Sequence, residues 1–326
     1  MKKAIVSLSA AAVLLLAGSM ALPGDAFGAN ATETVIDTPE EISYITDIKS
    51  MPTGELILIG GNQRDKTLSQ YISKDEGDTW QKECEYLEKL PVDMSAFEAV
   101  EAFGYVSDDG YAGICVFAYD KYLENVNEDN EDQQGIHEYF YIIDPDGNPT
   151  EVLTPETGEA AGGFYKVHFA GERAYFEDIR GNLYEVNRQS GDVLGKAMEN
   201  TDFLFAVGVS DGDEVCAVTN DELGYPIDEP FLADTAEGED SDEISYSFAA
   251  GLKGNESGKF YIADIDGISV YSPDGEKQLI YENRGGSIDK YTRFKDMAVI
   301  DEDTFIIRTW NEKSLTEELL KCEIQR

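Results

Sequence analysis

Positive charge is what this sequence has least of. Against 66 aspartates and glutamates stand 25 lysines and arginines and 2 histidines, giving a formal net charge of -41 at pH 7. A field of that sign repels DNA, RNA and anionic headgroups, which sets nucleic-acid binding aside. It also keeps the chain soluble and draws divalent cations. Long apolar runs are missing beyond the N-terminus: no stretch after residue 31 has the roughly 20 apolar residues a spanning helix needs. The cysteines Cys84, Cys115, Cys216 and Cys322 stand far apart, with no C-x-x-C redox or zinc spacing. Cys115 and Cys216 lie in apolar, strand-like runs, so buried free thiols are expected, with a disulfide as the alternative. His137 and His168 fall in different parts of the chain, and neither H-E-x-x-H nor G-x-S-x-G occurs. His168, inside the run Tyr165 to Phe169, is expected to be a packed strand residue.

The N-terminus reads as an export signal. Lys2 and Lys3 precede an almost unbroken apolar run, Ala4 to Ala17, and Pro23-Gly24 then breaks the helix. Ala29-Asn30-Ala31 fits an A-x-A cleavage site, with Ala26-Phe27-Gly28 as the weaker alternative. Cleavage after Ala31 removes Lys2, Lys3 and Asp25 and leaves the remainder one unit more negative. Leu16-Ala17-Gly18-Ser19 resembles a lipobox but ends in Ser19, where lipid transfer needs a thiol. It is either an ordinary small-residue c-region or the remnant of a lost anchor. The expected organisation is a signal over 1–31 and one domain over 32–326. The mature protein is expected to be monomeric, secreted to the extracellular space or cell envelope, and not inserted in a membrane.

Helical periodicity is also scarce. Short runs rich in Ile, Val, Tyr and Phe alternate with Gly, Asp, Asn and Pro turns: Glu55 to Gly60, Gly113 to Tyr119, Tyr139 to Ile143 and Thr304 to Trp310 are examples. Only Ser314 to Leu320 looks helical, with Ser314 and Glu317 spaced as a capping box; a polar loop before a strand over Leu319 to Ile324 is the other reading. With 42% hydrophobic and 11% aromatic residues there is material for a core, so the acidity does not signal disorder. One pattern recurs, an aromatic strand followed by an acidic turn with Gly, as in Tyr71 to Gly77, Tyr141 to Gly147, Tyr175 to Gly181 and Tyr261 to Gly267. Its unit of about 40–45 residues is the length of a four-stranded propeller blade. Units begin near Ile42, Val92, Gly163, Phe203, Ile244 and Tyr291. The last is one strand short, and Thr34 to Asp37 supplies the missing strand and closes the ring. The expected fold is all-β, a propeller of six to seven four-stranded blades, which leaves no long sheet edge exposed. The acidic stretches Glu124 to Gln134 and Asp234 to Glu243 are expected to be solvated loops.

Ser73-Lys74-Asp75-Glu76-Gly77-Asp78-Thr79-Trp80 matches the Asp-box S-x-D-x-G-x-T-W at every fixed position. The segment resembles the bacterial neuraminidase repeat of sialidases and of many non-enzymatic propellers. Asp75 and Gly77 shape a tight turn, Gly77 by tolerating positive φ; Thr79 suits a strand and Trp80 packs on the blade. The resemblance implies that Ser73, Asp75, Gly77, Thr79 and Trp80 sit between the outer two strands of a blade and serve the fold, not catalysis. Sialidase chemistry itself needs three arginines on a substrate carboxylate, a Tyr nucleophile with a Glu partner and an Asp acid, and arginine is scarce here. Asp144-Pro145-Asp146-Gly147 and Asp264-Ile265-Asp266-Gly267 open like calcium loops but lack the Glu at position twelve, so hairpin turns account for them better. No cofactor is expected; a low-affinity calcium site at clusters such as Asp129, Glu131 and Asp132 is the one the composition allows. The resulting expectation is a non-catalytic, secreted propeller that binds a glycan, peptide or protein at the cell envelope. Alternatives are a sialidase-like glycoside hydrolase and an accessory to a solute-binding transport system.

Charge of this size makes a direct prediction. Like charges sit closer in the folded chain than in the unfolded one, so sodium chloride raises the melting temperature as the Debye length falls to about 3 Å at 1 M. Melts at matched ionic strength, with sodium alone and with millimolar calcium, separate screening from chelation. A melting temperature indifferent to both reduces the acidity to a solubility device.

Overall fold

The computed structural model describes residues 30–121, 135–153, 163–178, 181–198, 204–209, 215–219, 223–224, 230–231, 249–252, 260–264, 267–271, 277–282, 292–311 and 314–325. The signal segment up to residue 29 and both acidic stretches lie outside these residues. The chain opens with β1 (Asn30–Ile36). The first sheet is β2 (Tyr44–Ser50), β3 (Leu56–Asn62), β4 (Thr67–Ser73) and β5 (Gln81–Glu85), and the second is β6 (Ala99–Val106), β7 (Ala112–Tyr119), β8 (Ile136–Ile143) and β9 (Pro149–Glu151). The third is β10 (Phe164–Ala170), β11 (Arg173–Asp178), β12 (Leu183–Val186) and β13 (Val193–Met198). The fourth is β14 (Leu204–Val209), β15 (Val215–Thr219), β16 (Leu223–Gly224) and β17 (Pro230–Phe231). The fifth is β18 (Ala249–Leu252), β19 (Phe260–Asp264), β20 (Gly267–Tyr271) and β21 (Lys277–Glu282). The last consists of β22 (Thr292–Val299), β23 (Thr304–Asn311) and β24 (Thr316–Gln325), and β1 completes it from the other end of the chain.

This is a β-propeller. Each sheet is an antiparallel meander, and the innermost strands β2, β6, β10, β14, β18 and β22 touch one another in a closed circle. Five sheets are full blades. The fourth is rudimentary, because its outer strands β16 and β17 have two residues each. The expected six to seven full blades therefore become five full blades and one reduced blade. The reason is local: Gly224 offers no side chain to pack and Pro230 no N–H to the ladder. The long second unit hides no extra blade among the described residues; its start forms a short 3-10 turn at Met94–Ala96, after another at Leu87–Lys89 that ends the first unit. Ser314 to Leu320 is not a helix. Asn311 of β23 pairs with Thr316 of β24, and Glu317 spends its carboxylate on Arg308 and on the Ile45 N–H instead of a capping box.

The core lies in the layers between blades. Ile57, Ile59 and Leu68 of the first blade meet Val100, Ala102 and Ile114 of the second. Phe140 of the second packs edge-on against Phe164 of the third at 5.1 Å between centroids, and Phe164 in turn against Phe176 at 5.3 Å. The first and last blades meet through Ile45, Leu56, Leu58, Ile306 and Leu319. Cys84, Cys115 and Cys322 are free thiols, the last two buried, as expected of Cys115 from its apolar run. Among the described residues no helix is long and apolar enough to cross a membrane.

The Asp-box-like segment is the β4–β5 turn, between the outer two strands of the first blade. The Ser73 hydroxyl donates to Asp75 Oδ1 at 2.8 Å and accepts the Gly77 N–H at 2.8 Å. Asp75 in turn accepts the Thr79 N–H at 2.9 Å and the Thr79 hydroxyl at 2.6 Å. These bonds hold the exposed Asp75 carboxyl below its ordinary range. Gly77 sits at φ +97, and a Cβ there would come within 2.8 Å of the Ile36 side chain. The turn faces the end of β1, not only its own blade. Trp80 Nε1 donates to the Asp37 carbonyl at 3.0 Å, and Glu76 pairs with Lys321 of β24. The box therefore pins the closing strand. All seven residues of β1 are in register with β24, from Asn30 opposite Gln325 to Ile36 opposite Leu319, and Ala31 packs on the core of the last blade. The expected cleavage point after Ala31 falls inside this strand; the alternative at Gly28 leaves it whole.

Trp80→Ala removes one hydrogen bond and a half-buried ring from the closure. It is expected to lower unfolding stability by about 2 kcal/mol, read by chemical denaturation, and to leave ligand binding by the still-folded protein unchanged. A variant of wild-type stability that has lost binding contradicts the structural role.

Candidate functional site

The inner strands of a propeller cannot all use a main-chain ladder toward the axis, so their free backbone groups need other partners. In the first blade those partners are side chains. The Tyr44 hydroxyl donates to the Ala102 carbonyl at 2.9 Å, the Thr46 hydroxyl donates to the Gly104 carbonyl at 2.9 Å, and Asp47 Oδ2 accepts the Val106 N–H at 3.0 Å. Burial pushes the Tyr44 phenol up to about 12. On the other side, Glu317 accepts the Ile45 N–H at 2.9 Å, Asp296 accepts the Ile48 N–H at 3.2 Å, and Arg308 donates to the Thr46 carbonyl at 3.2 Å. Thr46, Tyr165, Phe205 and Lys295 are each the extra residue of a β-bulge near the start of an inner strand. Bulges there re-aim side chains that a regular pleat would point into a neighbouring blade.

Two polar groups result near the axis. Asp47 and Asp296 follow their bulges on touching strands. Burial, and then the Asp296 charge, raise Asp47 to about 7, against the pull of Lys49 and the Val106 N–H, although by its exposed surface the residue is only half-buried. In the third blade His168 and Glu177 pair at 2.8 Å, both buried, and the Tyr165 hydroxyl donates to Glu177 at 2.7 Å. Burial lowers His168, so the ring is neutral and Nε2–H is the donor. Burial works against the Glu177 carboxylate, but its bonds to His168 and Tyr165 and the nearby Lys166 hold it ionised. The packed-strand reading of His168 is correct; its carboxylate partner, nine residues away on β11, carried no sequence signal.

Beside this network, on the face where the inner strands begin, a cleft of about 580 Å³ opens between the last blade and the first two. Tyr44, Phe103 and Trp310 supply aromatic lining, Ile42 and Leu315 aliphatic lining, and Glu101, Lys295, Arg308 and Glu317 charge. Arg308 and Glu317 neutralise each other at 2.6 Å. Glu101 is held differently: Gln63 donates to it at 3.0 Å and the Tyr119 hydroxyl at 3.1 Å, both neutral. A second void, of about 10 Å³ among Ile268, Tyr281 and Cys322, has room for a water and no ligand.

Ser73, Asp75, Gly77, Thr79 and Trp80 of the β4–β5 turn line none of this cleft. Nor do the described arginine side chains converge: Arg64 and Arg173 are exposed, Arg188 is locked between Asp109 and the Tyr111 ring, and Arg308 alone lines the cleft. In the suspected calcium turn, Asp144 accepts the Asn148 N–H at 2.7 Å and its side-chain amide at 2.9 Å, as a hairpin turn does. The tip of the second such turn and the cluster at Asp129 to Asp132 lie outside the described residues. Among the described residues no three metal-capable side chains gather.

Asp47 fixes the sign of a pH test. A carboxyl raised from its unfolded value of about 4 to about 7 contributes stability that is complete below the lower value and lost as pH rises through the upper. Asp47→Asn keeps an acceptor for Val106 and cannot ionise. Its melting temperature relative to wild type is expected to climb from pH 5 to pH 8. His168 acts oppositely in this window but equally in both proteins, so it cancels in the difference. A flat difference removes Asp47 as the titrating group.

No family model matches the chain, and no curated protein matches it. Solved structures do. A protein of unknown function from Dyadobacter fermentans shares 12% identity at a TM-score of 0.50, over 90% of this chain and 98% of that one. YCF48 from Cyanidioschyzon merolae shares 11% at 0.43, over 90% and 98%. A YCF48 bound to D1 peptide shares 10% at 0.46, over 91% and 97%. Only the first reaches 0.50, and at its identity it speaks for the fold alone: this chain is similar to other β-propellers.

Proposed function

We propose that this chain is a non-catalytic binding module, exported to the cell envelope or beyond, that takes a glycan, peptide or protein ligand in the cleft between its first and last blades. One observation carries the reading: a cleft of about 580 Å³ with three aromatic side chains and one carboxylate fixed by neutral donors. That volume lies in the range of ligand pockets, and its mix of apolar walls with few placed polar groups is what such pockets use. Export rests on the sequence of residues 1–31.

The sialidase-like alternative has one observation in its favour, the Tyr165–Glu177 hydrogen bond. Yet burial, and then the Glu177 carboxylate, push the Tyr165 phenol well above its ordinary range, the reverse of an activated nucleophile. The transport-accessory alternative rests on Leu16 to Ser19 alone.

A glycan and peptide array, run with and without calcium, tests the proposal. Hits are expected to weaken about tenfold with Trp310→Ala at unchanged melting temperature. Hits indifferent to Trp310 move the site elsewhere, and release of methylumbelliferone from a sialoside by the wild-type protein overturns the non-catalytic reading.

A further inference from the structure

We infer that the ligand of the seam cleft is an extended peptide segment that presents a lysine or arginine side chain, with a bulky apolar residue beside it. The inference rests on the cleft being a ligand site and names the chemistry that fits it. Glu101 is the centre of the argument. Its two oxygens are oriented by Gln63 and the Tyr119 hydroxyl, donors that fix direction without cancelling charge. The other carboxylate in the cleft, Glu317, already faces Arg308 at 2.6 Å. A carboxylate held this way among Tyr44, Phe103 and Trp310 suits an organic cation with an apolar stem, since aromatic faces attract cations and pack alkyl chains.

The second observation is Leu315. It stands 69% exposed in the β23–β24 turn at the edge of the cleft, with φ +57. A branched residue in left-handed conformation is uncommon, and Gly or Asn would fill the position with less strain. The turn is held by the Leu315 N–H to the Asn311 carbonyl at 2.8 Å and the Ser314 N–H to Asn311 Oδ1 at 3.0 Å. Leu315, lining the cleft together with Trp310 and the half-buried Ile42, gives the apolar neighbour of the bound cation a place to pack. The third observation is field: a net charge of -41 draws cationic segments and repels acidic ones before contact. Lys295 also lines the cleft, exposed across β2 from Glu101, and a carboxylate placed there by substitution is a probe of sign.

The test uses a fluorescein-labelled peptide Gly-Lys-Leu-Lys-Tyr-Lys-Gly, its counterpart with glutamate for lysine, and spermine, at 150 mM salt. The basic peptide is expected to bind and the acidic one not. Glu101→Gln, which keeps the shape, the bond accepted from Gln63 and an amide N–H that can donate to the Tyr119 oxygen, should weaken binding about tenfold. Trp310→Ala and Leu315→Ser should each weaken it severalfold, and Lys295→Glu should tighten it. Asp146→Asn, a charge removed from a remote exposed turn, is the control and should change nothing. Equal losses from Glu101→Gln and Asp146→Asn mean diffuse attraction and overturn the inference, as does weaker binding with Lys295→Glu. Spermine competing as well as the peptide overturns the peptide assignment. If the basic peptide fails while array hits still depend on Trp310, this inference falls and the binding function stands; if nothing depends on Trp310, both fall.

Discussion

A ring of sheets must be sealed somewhere, and in this protein the seal joins the two ends of the chain. β1 pairs along its whole length with β24, so the last blade is complete only when residues 30–36 return to it. Without that ladder β24 would be a ten-residue open edge, the kind of surface that invites pairing with other chains. Every other blade is a local meander, so this junction carries the largest sequence separation and the highest closure cost in the fold. A closely hydrogen-bonded turn sits against it. Ser73, Asp75 and Thr79 lock a corner whose Gly77 and Trp80 bear on Ile36 and Asp37.

The seam also explains the position of the cleft. Ile42, Tyr44 and Ile45 enter from the chain that follows β1, Lys295, Arg308, Trp310 and Glu317 from the blade β1 completes, and Glu101 and Phe103 from the second blade. A ligand touching all three binds the closed ring and not an opened one, so by mass action it stabilises closure. The Arg308–Glu317 pair belongs to both functions, lining the cleft while satisfying the Thr46 carbonyl and the Ile45 N–H.

Polar chemistry near the axis follows from the same geometry. Inner strands leave N–H and C=O groups that water would otherwise satisfy, and here Tyr44, Thr46, Asp47, Asp296 and Glu317 do so. Burial of Asp47, and then the Asp296 charge on the adjacent strand, raise its carboxyl, a by-product of sealing the ring with acids. In the third blade the buried His168 and Glu177 bond each other, and the half-buried Tyr165 hydroxyl donates to the same carboxylate.

Much of the architecture was legible in the order of residues because blades are local: an aromatic strand, an acidic Gly turn and a returning strand announce themselves within a few tens of residues. The missing last strand was found by counting, and Thr34 to Asp37 overlaps the strand that fills it. Local signals also misled. Ser314 and Glu317 have capping-box spacing, but Glu317 finds Arg308 and Ile45, partners whose nearness only the fold creates. The fourth sheet was counted as a full blade although Gly224 and Pro230 leave it little to pair with. The cleft was invisible in sequence, since Tyr44, Glu101 and Trp310 are far apart in the chain and share no motif. Period and turn chemistry depend on neighbours in sequence, so the sequence by itself determined an all-β ring and its acidic field. Where Glu101 meets aromatic walls, and where Asp47 meets Asp296, depends on bringing the first and last blades together, and only the tertiary structure decided that.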